Sequence, residues 1–329
     1  MLIPRFAVVV LLLLILSGCG EQEQERELER VVVGITAVKS ELQNLERALD
    51  SDQVRNAVLL KQYAILLSDA RPVLYELTSV IAQDATSSGP LFQGLQSRLE
   101  TVSDLQEGSL SFSEFPTLQD RMQELHALRQ ATSIAMFSDA LSDPVNVLAD
   151  LSGGSLARVN AISAAAEQAA VGSGSNIPAQ QMVGNPSYGQ WSGSGGNSFW
   201  VWYGQYALIS RLLGGGRTYY GDWGGRRRYS YYHDVGRRSY SSPRNKVSQS
   251  VRERAVKKDF RSQGKRFTSP YARTRAGASG LSRASTAQSK AVFTSPYSKN
   301  SSSNKYKSSY QSSARNSSSR TTRGISRGK

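Results

Sequence analysis

This sequence predicts an all-α fold: a helical hairpin or bundle with coiled-coil character, then a flexible linker, a short aromatic apolar segment and a disordered basic tail. Three observations carry that expectation. Leu28, Val31, Ile35, Val38, Leu42, Leu45 and Leu49 recur in alternating steps of three and four, the heptad stripe of a helix seam. Residues 20–170 hold 22 acidic and 11 basic side chains, a net −11, whereas 171–329 hold 4 and 28, a net +24. Beyond residue 171 glycine, serine and proline crowd the chain, a composition with too little apolar surface to offset chain entropy.

The first element is not part of the fold. After Arg5 comes an unbroken apolar run over 6–16, eleven residues. That length suits a signal-peptide core and falls short of the roughly 20 residues a spanning helix needs. The run closes on Leu16-Ser17-Gly18-Cys19, and Cys19 is the only cysteine. This stretch resembles the lipobox of bacterial lipoprotein precursors. The resemblance implies recognition through Leu16, Ser17 and Gly18, diacylglyceryl transfer to the Cys19 sulfur, cleavage before Cys19 and acylation of the new amino terminus. Gly20 at the next position, in place of aspartate, implies sorting to the outer membrane, facing the periplasm. Two or three acyl chains anchor stably where a single chain does not. The alternatives are an ordinary signal peptide in which the cysteine has no such role, or an uncleaved anchor. A single cysteine also excludes an intrachain disulfide framework.

Residues 19–171 then read as the acidic helical domain. The heptad stripe predicts one helix over 21–49, with glutamates in its first turns complementing the helix dipole. Asp50-Ser51-Asp52 interrupts the seam, so a hairpin turn is expected at 50–53, with a continuous rod as the alternative. The same register continues through Leu59, Tyr63, Leu66, Ala70, Val73, Leu77 and Val80, and Leu60, Leu67, Leu74 and Ile81 form a second stripe beside it. A double stripe marks a helix buried in a bundle. Pro72 splits or kinks that helix. Pro90 opens a helix carrying Leu95, Leu99 and Val102. Leu118, Met122, Leu125 and Met136 mark another. In "SDPVNVLADLSGG" Asp143 reads as the cap, Pro144 as the first helical position and Gly153 as the stop. "SLARVNAISAAAEQAAV" reads as an alanine-rich last helix.

Residues 172–198 read as a Gly/Ser/Pro linker and 199–238 as an aromatic, arginine-rich interfacial segment. Its aromatic residues Phe199, Trp200, Trp202, Tyr203 and Tyr206 prefer a headgroup boundary or a partner surface, and packing against the helical head is the competing expectation. Arg226, Arg227, Arg228, Arg237 and Arg238 are the candidate contacts to an anionic surface. From Ser239 onward, 21 lysines and arginines face only Glu253 and Asp259, and the tail 239–329 is expected to stay disordered. Ser-Pro pairs recur at 242, 269 and 295, the last two inside identical "FTSPY" pentads.

Catalytic chemistry finds no foothold in the pattern. His126 reads as an exposed helix residue, and His233 beside Asp234 lacks the setting of an oriented pair. The one G-x-S-x-G match, 324–328, has a single residue after it and cannot form a nucleophile elbow. No cofactor, metal or catalytic residue is assigned. A tail rich in arginine and tyrosine could stack on and neutralise single-stranded nucleic acid; export removes that partner, so nucleic acid is kept as the minor alternative should the lipobox reading be wrong. The expected function is a non-catalytic envelope lipoprotein, a tether from the membrane to an anionic envelope polymer or lipid. Helix-mediated self-association or a protein partner is also expected. The alternative is an accessory subunit of a membrane complex docking through its coiled-coil face. A plainer possibility is that the acidic head neutralises the basic half within the chain.

Overall fold

The computed structural model describes residues 5–106, 114–162, 167, 179–214, 216–265, 267 and 278–293; for residues 5–21 the description covers the backbone alone. Helix α1, Arg5–Asp50, runs without a break. Its chain turns at 51–54, where Asp52 takes φ +53°, and α2 follows over Arg55–Ala70. The hairpin expectation holds. Val31, Val38, Leu42, Leu45 and Leu49 of the heptad stripe are buried while Leu28 stays 42% exposed. The seam is therefore filled within the chain, and packs on α4, Pro90–Ser103, and α5, Leu118–Ala131.

Past the turn both stripes contribute to the core: Leu60, Leu67, Leu74 and Ile81 are buried together with Tyr63, Leu77 and Val80 of the continued register, whereas Leu66 and Val73 of that register are exposed. Pro72 breaks the helix as expected: a 3-10 turn, Pro72–Leu74, separates α2 from α3, Tyr75–Ala82. Pro90 occupies the first turn of α4. Thr117 starts α5 with a capping box, its side chain bonded to Asp120 N and the Asp120 carboxylate to Thr117 N. The helix expected to reach Met136 is two helices, because Ser133 caps a new one, α6, Ile134–Ala140. Helix α7, Ser142–Leu151, ends near Gly153 at φ +69°.

Three expectations are corrected beyond this point. The alanine-rich helix does not begin where expected: 155–162 is irregular, with Asn160 at φ +46°, and 163–166 and 168–171 lie outside the described residues. Part of the linker is ordered. Residues 179–188 form buried turns that lead into strand β1, Gly189–Ser192, paired antiparallel with β2, Phe199–Trp202, in the register Trp191 opposite Trp200. The tail is also structured at its start. After short helices α8 (Ala207–Leu212), α9 (Tyr220–Arg226) and α10 (Tyr231–Asp234) comes the twenty-residue α11, Pro243–Ser262. Ser242 caps α11 through Asn245 N and Pro243 fills its first turn, the preferred placement of each. Helix α12 is Arg283–Phe293. Residues 294–329, which include most of the second "FTSPY" pentad, lie outside the described residues, as do 172–178.

One apolar core joins the two halves. Leu45, Leu60, Leu77, Ile81, Leu128, Phe137 and Leu148 belong to the same buried cluster as Tyr188, Trp200, Tyr206, Trp223, Tyr231, Tyr232 and Val256. The helical domain is thus not a separate unit, and the described residues through Val292 form one compact body.

Candidate functional site

The aromatic segment is built into this body through carboxylates of the helical half. Asp84, buried at the end of α3, accepts a hydrogen bond from the Tyr188 hydroxyl at 2.9 Å, with the Tyr206 hydroxyl at 3.5 Å. Burial pushes its carboxyl up to about 7 against the opposing pull of those hydroxyls. Asp143 does the same for α10. Its oxygens accept the backbone N–H groups of Tyr231 (2.8 Å) and Tyr232 (3.0 Å) and the Ser230 hydroxyl (2.9 Å). The first N–H groups of a helix have no partner inside it, so a carboxylate placed there satisfies them and complements the dipole. Asp143 therefore caps α10, 88 residues away at Tyr231, and not α7 as its position before Pro144 suggested. Desolvation pushes this carboxyl up to about 7 as well. Asp139 Oδ2 accepts Ser282 N at 2.9 Å ahead of α12.

These bonds carry a layered aromatic cluster. Trp191 meets Trp200, Tyr220 and Trp223 with ring centroids 5.2, 4.8 and 5.3 Å apart, and Tyr188 meets Tyr206 at 5.1 Å. Phe267, first residue of the first "FTSPY" pentad, stacks on Tyr220. Each such pair contributes about 0.5–1.5 kcal/mol beyond area burial. Gly184, at φ +84°, lets the chain pass His233, whose ring a Cβ there would meet at 2.9 Å.

The five aromatic candidates consequently divide. Trp200 and Tyr206 are buried, Phe199 and Trp202 half-buried, and Tyr203 exposed. Period-two alternation of β2 turns Trp200 inward and Val201 out, and Val201, Tyr203, Leu212 and Tyr219 leave an apolar rim in solvent. Arg217 lies 4.6 Å over the Phe199 ring at its edge. Packing on the head, the second of the two expectations for this segment, is what the structure gives for Trp200 and Tyr206: both join the common buried cluster, and the Tyr206 hydroxyl reaches the Val80 carbonyl and Asp84 of the helical half.

The five arginines divide too. Arg227 is buried in a bidentate pair with Asp234, 2.8 and 2.5 Å, which raises the guanidinium further despite burial. Arg228 pairs with Asp150 at 3.0 Å and Arg237 with Glu253 at 3.2 Å. Only Arg226 and Arg238 of this set are exposed. His233 donates from Nε2 to the Val183 carbonyl at 2.8 Å. Burial, helped by Arg227, holds it well below its usual range and hence neutral. Its neighbour Asp234 serves Arg227, so the two form no oriented pair. His126 is exposed on α5.

Leu16, Ser17, Gly18 and Cys19 lie in the N-terminal part of α1 with only their backbone described. No helix among the described residues is long and apolar enough to cross a membrane. Among them, too, no group of three or more His, Cys, Asp or Glu is placed to hold a metal ion. Comparisons with protein-family models, curated proteins and solved structures find no match to the chain.

Sequence patterns alone did not point to Asp84, Tyr188, Trp191 or the Arg227–Asp234 pair. The β1–β2 hairpin had a signal: "GQWSGSGGNSFWVW" sets Trp191 before a Gly/Ser/Asn turn and Phe199, Trp200, Val201 and Trp202 after it, a pattern consistent with paired strands.

Proposed function

We propose that this protein is a non-catalytic lipoprotein of the bacterial cell envelope. It is a tether held in the outer membrane by lipid on Cys19, gripping an anionic envelope surface with its basic half. The lipobox Leu16-Ser17-Gly18-Cys19 at the end of an eleven-residue apolar run carries this reading. The outer face of α11 supports the second contact. Arg244, Val247, Val251, Arg254, Lys258 and Arg261 recur in steps of three and four, and all six are exposed. A basic stripe with apolar residues inside it suits a helix laid on an anionic interface. Arg226 and Arg238 are exposed as well. In cells, Cys19→Ala should abolish labelled palmitate incorporation and release the protein from membranes; retained label and unchanged fractionation overturn the anchor. At low salt, the full chain carrying R254E, K258E and R261E should bind phosphatidylglycerol vesicles or cell-wall fragments at least about tenfold more weakly than the parent. Equal binding removes the tether.

The accessory-subunit reading stands second, with its surface moved. The seam of α1 is filled within the chain, whereas Ile65, Leu66, Val73 and Tyr75 are each more than half exposed along α2 and α3. Exposed apolar side chains of this kind mark protein contacts when they form a patch. Crosslinking from this face to one dominant protein would favour it.

A further inference from the structure

A second recognition site adjoins the first turn of α11, where Arg244 belongs both to its lining and to the exposed stripe. Between α4, the β1–β2 hairpin and the first half of α11 runs an open cleft of about 630 Å³, within the size range of small-ligand sites. One side is aromatic, with Trp191, Trp200 and Tyr203. The other sides carry neutral hydrogen-bonding groups, among them Thr101, Gln190, Asn245, Ser248 and Gln249. Arg98, Arg244, Arg252, Glu114 and Glu124 also line it. Arg98 is already bonded to Glu124 at 2.6 Å and to the Ser239 carbonyl, and Arg252 to Ser198 and the Trp191 carbonyl. These bonds commit two of the three guanidinium groups to the protein itself.

Two neutral polar atoms of the lining residues lack a hydrogen-bond partner among the described residues. One is Nε1 of Trp200, a residue 5% exposed, and the other is Oε1 of Gln249, whose Nε2 donates to the Tyr232 hydroxyl. An unpaired buried donor and an unpaired buried acceptor each cost about 1–3 kcal/mol, and here they stand on the wall of one cleft. A ligand that satisfies both must itself donate and accept, and must present an apolar face to the indole and phenol rings.

We infer that this cleft binds a short neutral saccharide. A sugar ring carries hydroxyl or acetamido groups that donate and accept, together with C–H faces that lie against aromatic rings. The neutral side chains along the cleft match that chemistry better than they match a phosphate or a carboxylate. The inference concerns the folded body and stands whether or not Cys19 carries lipid.

The test uses the full chain with Cys19→Ala, titrated with chitotetraose, maltotetraose and tetra-alanine and read by calorimetry and tryptophan fluorescence. Saturable binding of one of the saccharides, with Kd at or below about 1 mM, is expected. Trp200→Phe, which keeps an aromatic ring but removes the N–H donor, should weaken it about tenfold. Ser248→Trp places bulk on an exposed position of the cleft and should abolish it with the thermal transition unchanged. The inference is overturned by the absence of saturable heat with either sugar up to about 10 mM, well beyond the expected Kd. Saturation by tetra-alanine alone also overturns it, as does sugar binding that Ser248→Trp leaves intact.

Discussion

Replacing Asp143 by asparagine should flatten the acid side of the stability curve. The buried Asp143 carboxyl sits at about 7 against an ordinary 3.8, with desolvation the main cause and the nearby Asp234 charge adding to it. A folded value above the unfolded one means that the native state holds a proton the unfolded chain has released. The stabilisation is therefore complete below about pH 4 and lost as pH rises through 7. Within that window one such group contributes a fall of about 1.4 kcal/mol per pH unit, up to about 4 kcal/mol over the whole range. Asp84, also at about 7, contributes a second fall of the same sign, so the parent should lose about 3 kcal/mol per unit from the two together. The amide in Asp143→Asn cannot titrate and should remove half of that slope. It also keeps only one acceptor oxygen for the N–H groups of Tyr231 and Tyr232, at an added cost of about 1–3 kcal/mol at every pH. Urea unfolding followed by circular dichroism at pH 5, 6 and 7, at constant ionic strength, gives both quantities. If the slopes of parent and variant coincide, Asp143 does not hold a proton in the folded state and the reasoning fails.

Three further outcomes are expected. Arg227→Met strands the Asp234 carboxylate in a buried site and should lower stability by about 3 kcal/mol or more in thermal unfolding; an unchanged midpoint would mean water reaches the pair. Gly89→Ala drives a Cβ into the backbone of Gln83 and Asp84 and should destabilise by about 1–3 kcal/mol. Gly94→Ala, inside α4 with only an ordinary contact to Ser187 at 3.7 Å, should by contrast stabilise by up to about 1 kcal/mol, and the pair of variants is read together by chemical denaturation. A chain ending at residue 171 should lack a cooperative melt and bind a hydrophobic dye, since its Asp84, Asp139 and Asp143 lose the donors supplied by Tyr188, Ser282 and Tyr231; a sharp transition like the parent's would show that the helical half folds alone.

What the sequence discloses follows from the range of the signal. The α1 seam, the turn after Asp50 and the breaks at Pro72, Pro90 and Gly153 are written in residues that act on their own neighbours, and each is where expected. Ser242-Pro243 was an equally local helix start, read instead as one member of a repeat. Asp143 shows the limit: it sits in a good capping position, but its acceptors are taken by Ser230, Tyr231 and Tyr232. Nothing in its own neighbourhood announces that choice. The aromatic segment was ambiguous for a related reason. Its tryptophans and tyrosines suit a lipid interface or a core equally well, and only the hydroxyl acceptor at Asp84 and the partner strand at Trp191 decide. The proposed contact residues were legible only as composition, because which arginines find carboxylates depends on the fold.

The bonds that close this body join distant parts of the chain. Asp84 meets Tyr188 across 104 residues, Arg98 meets the Ser239 carbonyl across 141, and Asp139 meets Ser282 N across 143. During synthesis the early helices emerge first, with the seats for those groups empty and an apolar surface uncovered. Non-local closure of this kind slows folding and lengthens the exposure of sticky intermediates. The final step must wait until α12 has left the ribosome, so a chain stalled before residue 282 remains open to proteases and holding chaperones for as long as the stall lasts.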